Sequence, residues 1–155
     1  MKPAAYRLLV GFTLLLGLGL LLSVNDPWFT DAYYYYNAGE QLAQGEGLRD
    51  MALWVYVNAP DEVPTESHRY WMPLASIIFA VPMALLGTGF NVAQLAQVPF
   101  LMGLACQGMW LGWRLSANQR IAWVAGLSTA LGGFYLPFWL STDTFALFGC
   151  VGSGA

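Results

Sequence analysis

The segment TDAYYYYNAGEQLAQGEG, Thr30 to Gly47, follows the first apolar run of the chain and decides how the rest is read. Asp31 or Thr30 is placed to cap a helix, and Gly45 stands where that helix should stop. Tyr35, Ala38 and Leu42 fall at helical spacing on one face, with Glu40 and Gln44 on another. That pattern predicts a helix lying along a membrane surface, anchored by its four consecutive tyrosines. It also places the Asp31 carboxylate at a lipid–water boundary.

Working outward, Lys2 and Arg7 precede an apolar stretch from Leu8 to Leu22. No small-x-small cleavage site follows, only Ser23-Val24-Asn25-Asp26, so an uncleaved transmembrane helix over 8–24 is expected. Gly11, Gly17 and Gly19 leave room for close packing. The 155 residues are 57% hydrophobic and only 10% charged, against about a quarter charged in soluble domains, so the chain reads as an integral membrane protein. Six scattered bases make no nucleic-acid patch. Cys106 and Cys150 lie in apolar runs without metal-ligand spacing and read as small apolar residues.

Residues 25–70 carry eight acids against Arg49 and Arg69, which places this loop outside the cytoplasm and the N-terminus inside. Met51–Val57 is a candidate strand, followed by a turn-rich run to Pro64. Segment 71–87 is apolar but interrupted by Pro73 and Pro82, and reads as re-entrant, interfacial or membrane-spanning. If it spans, Arg114 and Arg120 lie outside and Asp143 inside. If it stays on the outer side, 90–113 runs inward, 121–140 runs back out, and Asp143 shares a compartment with Asp31. Charge favours the second arrangement. The final run, 144–155, is about half a membrane crossing, so a truncated chain is expected. The expectation is one incomplete, all-α, multi-pass domain over 1–155.

Asp31 has two readings, a helix cap or a general base that takes a proton from an attacking hydroxyl. Asp143 likewise reads as a cap for a helix from Thr144 or as a second functional acid. His68 and Arg69 are placed to neutralise a phosphate, or are simply an exposed polar pair. Tyr33, Tyr34 and Trp71 serve as interfacial anchors or as platforms for a sugar. Gly126, Gly132 and Gly133 read as helix-packing positions.

The motif Asp31, Tyr33, Tyr34, Ala38, Leu42, Ala43, Gly45, Gly47 resembles the opening of GT-C membrane glycosyltransferases, including protein O-mannosyltransferases and lipid A aminoarabinose transferases. HRYWMPLASIIFAVPMALLG, His68 to Gly87, is similar to a following segment of that superfamily, although Trp71-Met72 intervene before a single proline. STDTFALFG from Ser141 resembles its second acidic motif. The resemblance implies transfer of a sugar from a polyprenyl-phosphate donor to a lipid, glycan or protein acceptor on the extracytoplasmic face. Asp31 would be base or acceptor-positioning group and Asp143 would organise donor or metal. Thr30 stands where many members carry a second acid, so divalent-metal use stays open. Residues 1–155 alone are expected to be inactive. The alternative is a non-catalytic membrane scaffold, lipid-binding subunit or transporter fragment.

Overall fold

Helix α1, Pro3–Leu21, begins where a proline takes the first helical turn, whose N–H groups have no partner inside a helix. It is the one helix among the described residues that is long and apolar enough by itself to cross a membrane. The computed structural model describes residues 2–52 and 63–154. After α1 come α2 (Thr30–Ala43), the strands β1 (Arg49–Asp50) and β2 (Thr65–Glu66), and α3 (Leu74–Leu86). The chain continues through α4 (Phe90–Leu95), α5 (Val98–Ser116) and α6 (Gln119–Leu131). Two 3-10 turns, Gly133–Tyr135 and Pro137–Leu140, lead into α7 (Phe145–Gly154). The fold is all-α, with one antiparallel two-residue ladder among the described residues.

Helices α5 and α6 form the tightest pair because small residues line their contact. A Cβ at Gly112 would fall 2.8 Å from Ala125 Cβ and 3.1 Å from Ala122 Cα. Gly126 would meet Met109 and Leu9 as closely. Ala117 turns left-handed at φ 50° to end α5, and Asn118 Oδ1 accepts the Arg120 N–H at 2.9 Å to start α6. Helix α1 lies against α5, burying Leu9 with Ala105, Met109 and Ala122. Gly17 packs on Val98, whereas Gly11 and Gly19 meet no neighbour within 4 Å among the described residues.

Several elements depart from their expected bounds. The first helix stops at Leu21, short of Val24. Pro73 is the N-cap of α3, and Pro82 sits inside it without breaking it. After α3 the chain turns by 117° into the α4–α5 unit, so 71–87 and 90–113 are two limbs of a sharp bend. Segment 121–140 is not one helix. Gly132 and Gly133 both take positive φ, 57° and 54°, end α6, and bend the path by 43°. The expected packing role holds for Gly126 and for Gly132, where a Cβ would fall 2.5 Å from Trp139 Nε1, but not for Gly133, which has no neighbour within 4 Å among the described residues. Met51 and Ala52 are bends, and the remainder of the expected strand over 51–57 lies outside the described residues.

Gly112→Val should destabilise the α5–α6 pair by about 1–3 kcal/mol through overpacking, seen as a lower thermal midpoint in detergent. Gly11→Ala, which fills open space within α1, should not lower that midpoint and should raise it slightly through the better helix propensity of alanine.

Candidate carboxylate site between the second and last helices

Helix α2 opens at Phe29, an extended N-cap that makes no side-chain bond. Neither Thr30 nor Asp31 caps it, contrary to the expectation from sequence. Asp31 instead occupies the first turn, half-buried, with Thr30 Oγ1 donating to its Oδ1 at 3.5 Å. A carboxylate there is favoured by the helix dipole. The buried face of α2 consists of Ala32, Tyr34, Tyr35, Ala38 and Gly39. Gly39 lets α3 approach, since a Cβ would come within 3.0 Å of the Ser76 carbonyl oxygen. Across that contact Ser76 Oγ donates to the Tyr35 carbonyl at 2.8 Å.

Asp143 reaches the same place from the far end of the chain. Residues Leu140 to Asp143 are all buried, although three of the four are polar. Two wholly buried glutamines at the α4–α5 junction hold this strap. Gln94 Nε2 donates to the Leu140 carbonyl at 3.0 Å, and Gln97 Nε2 to the carbonyls of Ser141 and Asp143 at 2.9 and 2.6 Å. On its other side Thr142 Oγ1 donates to the Ala32 carbonyl at 2.8 Å, within the first turn of α2. Asp31 precedes Ala32 and Asp143 follows Thr142, so one buried hydrogen bond brings the flanks of the two acids together. The Asp143 carboxylate accepts from the Thr144 N–H and, at 3.1 Å, from the Thr144 hydroxyl, just ahead of α7.

The electrostatics match that placement. Burial pushes the Asp143 carboxyl above its ordinary range, Thr144's two donors oppose the shift, and the negative charge of Asp31 adds to it. Tyr35 is raised further, to about 12, by burial first and then by Asp143 and Asp31. Its phenol therefore stays neutral and can donate a hydrogen bond beside two carboxylates. From sequence Tyr35 reads as part of one helix face and of the tyrosine anchor, not as a group beside the carboxylates. The signal was present, because Tyr35 lies four residues after Asp31 and so one turn below it on the same face. Tyr33 is 46% exposed, off the buried face, while Tyr34 is buried.

His68 does not offer its ring to a phosphate. Its Nδ1 faces the Trp71 carbonyl at 3.1 Å, which only accepts, so Nδ1 carries the proton; Nε2 lies 2.9 Å from Ser76 Oγ. Burial lowers its pKa, with the Trp71 carbonyl opposing. The backbone is left-handed there, φ 59°, and the His68 N–H donates to the Tyr34 hydroxyl. Arg69 is exposed and paired with Glu66, its Nε donating to Oε2 at 2.9 Å. Trp71 does join the cluster, 4.9 Å between ring centroids from Tyr34. From Tyr35 and Thr144 a groove of about 400 Å³ runs between α3 and α7, past Trp71, Leu74, Leu147 and Phe148.

For a cation the pair supplies oxygen donors of the kind hard divalent ions prefer. Among the described residues no third Asp, Glu, His or Cys completes a set.

Replacing Asp31 by Asn should lower the Asp143 titration midpoint, because it removes a negative charge that resists ionisation. Carboxyl carbon NMR on the purified protein reads this directly, and an unmoved midpoint would show that the two acids share no field.

Comparison with known protein families, curated proteins and solved structures finds no match to this chain.

Proposed function

We propose that the chain is part of a multi-pass membrane glycosyltransferase of the GT-C kind, acting outside the cytoplasm on a polyprenyl-phosphate sugar. The observation that carries this reading is the 2.8 Å bond from Thr142 Oγ1 to the Ala32 carbonyl, which sets Asp31 and Asp143 at one place. The amphiphilic character of the groove supports it too, since it begins at Tyr35 and Thr144 and continues along apolar side chains. A membrane setting is supported by the surface of the helices. Leu8, Leu15, Leu85 and Phe148 expose 67%, 72%, 79% and 77% of their area, more apolar surface than water tolerates in one molecule. Two bent helix pairs join α1 as candidate spans.

In this reading Asp31, half-buried and open to substrate, is the base. Its carboxylate takes the proton of an acceptor hydroxyl while that oxygen attacks the anomeric carbon. The bond from that carbon to the donor phosphate breaks, and polyprenyl phosphate leaves with the electron pair. Asp143, held rigidly by Gln97 and Thr142, orients the sugar through its hydroxyls. The neutral Tyr35 phenol donates to a sugar or phosphate oxygen. Trp71 offers an apolar face against which a sugar ring can lie.

Charge sets a requirement on this chemistry. A phosphate beside two carboxylates needs positive charge nearby, and His68 and Arg69 are engaged by Trp71, Ser76 and Glu66. A bound divalent ion would supply that charge, with Asp31 and Asp143 as the residues to hold it. The rival reading, a lipid-binding or scaffold protein, is supported by the same groove and would make no use of the carboxylates.

In cells expressing the gene, Asp31→Asn should lower sugar transfer by about 100-fold or more, the usual loss for a general base, at unchanged protein level. Undiminished transfer in that variant would leave the non-catalytic reading ahead.

A further inference from the structure

Asp50 lies apart from the carboxylate pair, on β1, and is only 2% exposed. The strand packs against α2 and sets Asp50 opposite Thr65 on β2. Among the described residues neither its Oδ1 nor the buried Ser67 Oγ just beyond β2 makes a hydrogen bond of good geometry, yet the two lie close enough for the Ser67 hydroxyl to favour the ionised carboxylate. From α2 the Tyr34 phenol faces the same space, since both the Asp50 charge and the Ser67 hydroxyl act on it. The charged neighbours on the ladder, Arg49 and Glu66, are partners in register and exposed, and Glu66 is engaged with Arg69. None of them neutralises Asp50.

An ionised carboxylate in that position is buried with one oxygen unsatisfied, which is costly. A protonated carboxyl costs less because it carries no charge. The Ser67 hydroxyl can serve either form, accepting from the neutral carboxyl or donating to the ionised one, so burial of the charge makes the difference. The next residue, His68, donates its backbone N–H to Tyr34 while held at a left-handed φ of 59°. The segment from Thr65 to Trp71 therefore sits on α2 through two adjoining contacts. One is the Asp50–Ser67 neighbourhood and the other is the His68–Tyr34 bond.

We propose that Asp50 is a protonation latch: its neutral carboxyl keeps the Thr65–Trp71 segment docked on α2, and ionisation releases that segment with His68 and Trp71. The consequence is a cover over the tyrosine cluster that closes in acid and loosens toward neutral pH. Burial raises the Asp50 carboxyl from 3.8 to about 6, with Ser67 opposing. A raised folded value means the docking contribution is complete below about pH 4 and is lost as pH climbs through about 6. A gap of about two units caps the effect at roughly 100-fold in the docking equilibrium.

Hydrogen–deuterium exchange on the whole chain in detergent micelles, corrected for intrinsic rates, tests this. Protection of the His68 amide should fall by roughly 10-fold between pH 5 and pH 8, the rest of the effect lying below pH 5. Asp50→Asn, which cannot ionise, should keep acid-level protection at pH 8. The His68 imidazole is a second titratable group on this segment, so a pH dependence that survives in Asp50→Asn would assign the switch to it and overturn the proposal. So would protection that is equal at both pH values in the unaltered chain. Should Asp50→Asn fail to fold, carboxyl carbon NMR of the unaltered chain decides: a midpoint near 6 supports the latch, and one at or below about 4 refutes it. Neither readout involves sugar transfer, so the latch and the enzymatic reading stand or fall separately.

Discussion

The Leu140–Asp143 strap is the constraint on which the rest of the structure depends. Four consecutive residues, three of them polar, lie buried in an apolar chain, and a buried carbonyl without a partner costs more than a satisfied one contributes. Each of these carbonyls that meets a glutamine is therefore satisfied from the α4–α5 junction, and Thr142 closes the far side on α2. Because the strap is held from both faces, Asp143 has little freedom of position. The bend between α3 and α5 follows from the same need, since it is the short α4 that brings Gln94 and Gln97 to the strap.

The polar core has a second layer on the other side of α2. Ser76 bonds to the Tyr35 carbonyl, His68 sits between Ser76 and Trp71, and Tyr34 takes the His68 N–H. Helix α2 is thereby clamped between the strap and α3, with Tyr35 buried between the two. Such a helix is held by the protein on two sides and forms one wall of the candidate site. Its tyrosines divide the labour by helical geometry: Tyr34 and Tyr35 face inward and Tyr33 faces out.

Much of this was legible in the residues. The α1 run, the helix starting at Thr30 and its end before Gly45 follow from apolar length, spacing and glycine placement, which are local properties. The choice of Asp31 and Asp143 came from charge distribution and from the motif around each. What was misread was also local in form but decided elsewhere. Asp31 has the side chain of a cap, yet the helix begins at Thr30 with Phe29 as its N-cap. Gly132 and Gly133 read as packing positions, yet both end a helix and only Gly132 also makes room for a neighbour, Trp139. His68 looked like a cation for phosphate, yet both ring nitrogens are turned on the protein. The roles of Tyr35, Gln94, Gln97 and Thr142 are not legible locally, because their partners are 41 to 110 residues away.

By itself, then, the amino-acid order determined an apolar helical chain with an acid-rich loop and two acids in suggestive settings, because periodicity, charge and length act over a few residues. Only the tertiary structure decided that those acids meet, which tyrosine stands beside them, and which histidine atoms are already in use. The reason is that a hydrogen bond across 110 positions is selected by the satisfaction of buried polar groups throughout the packed molecule, and no short stretch of sequence contains that condition.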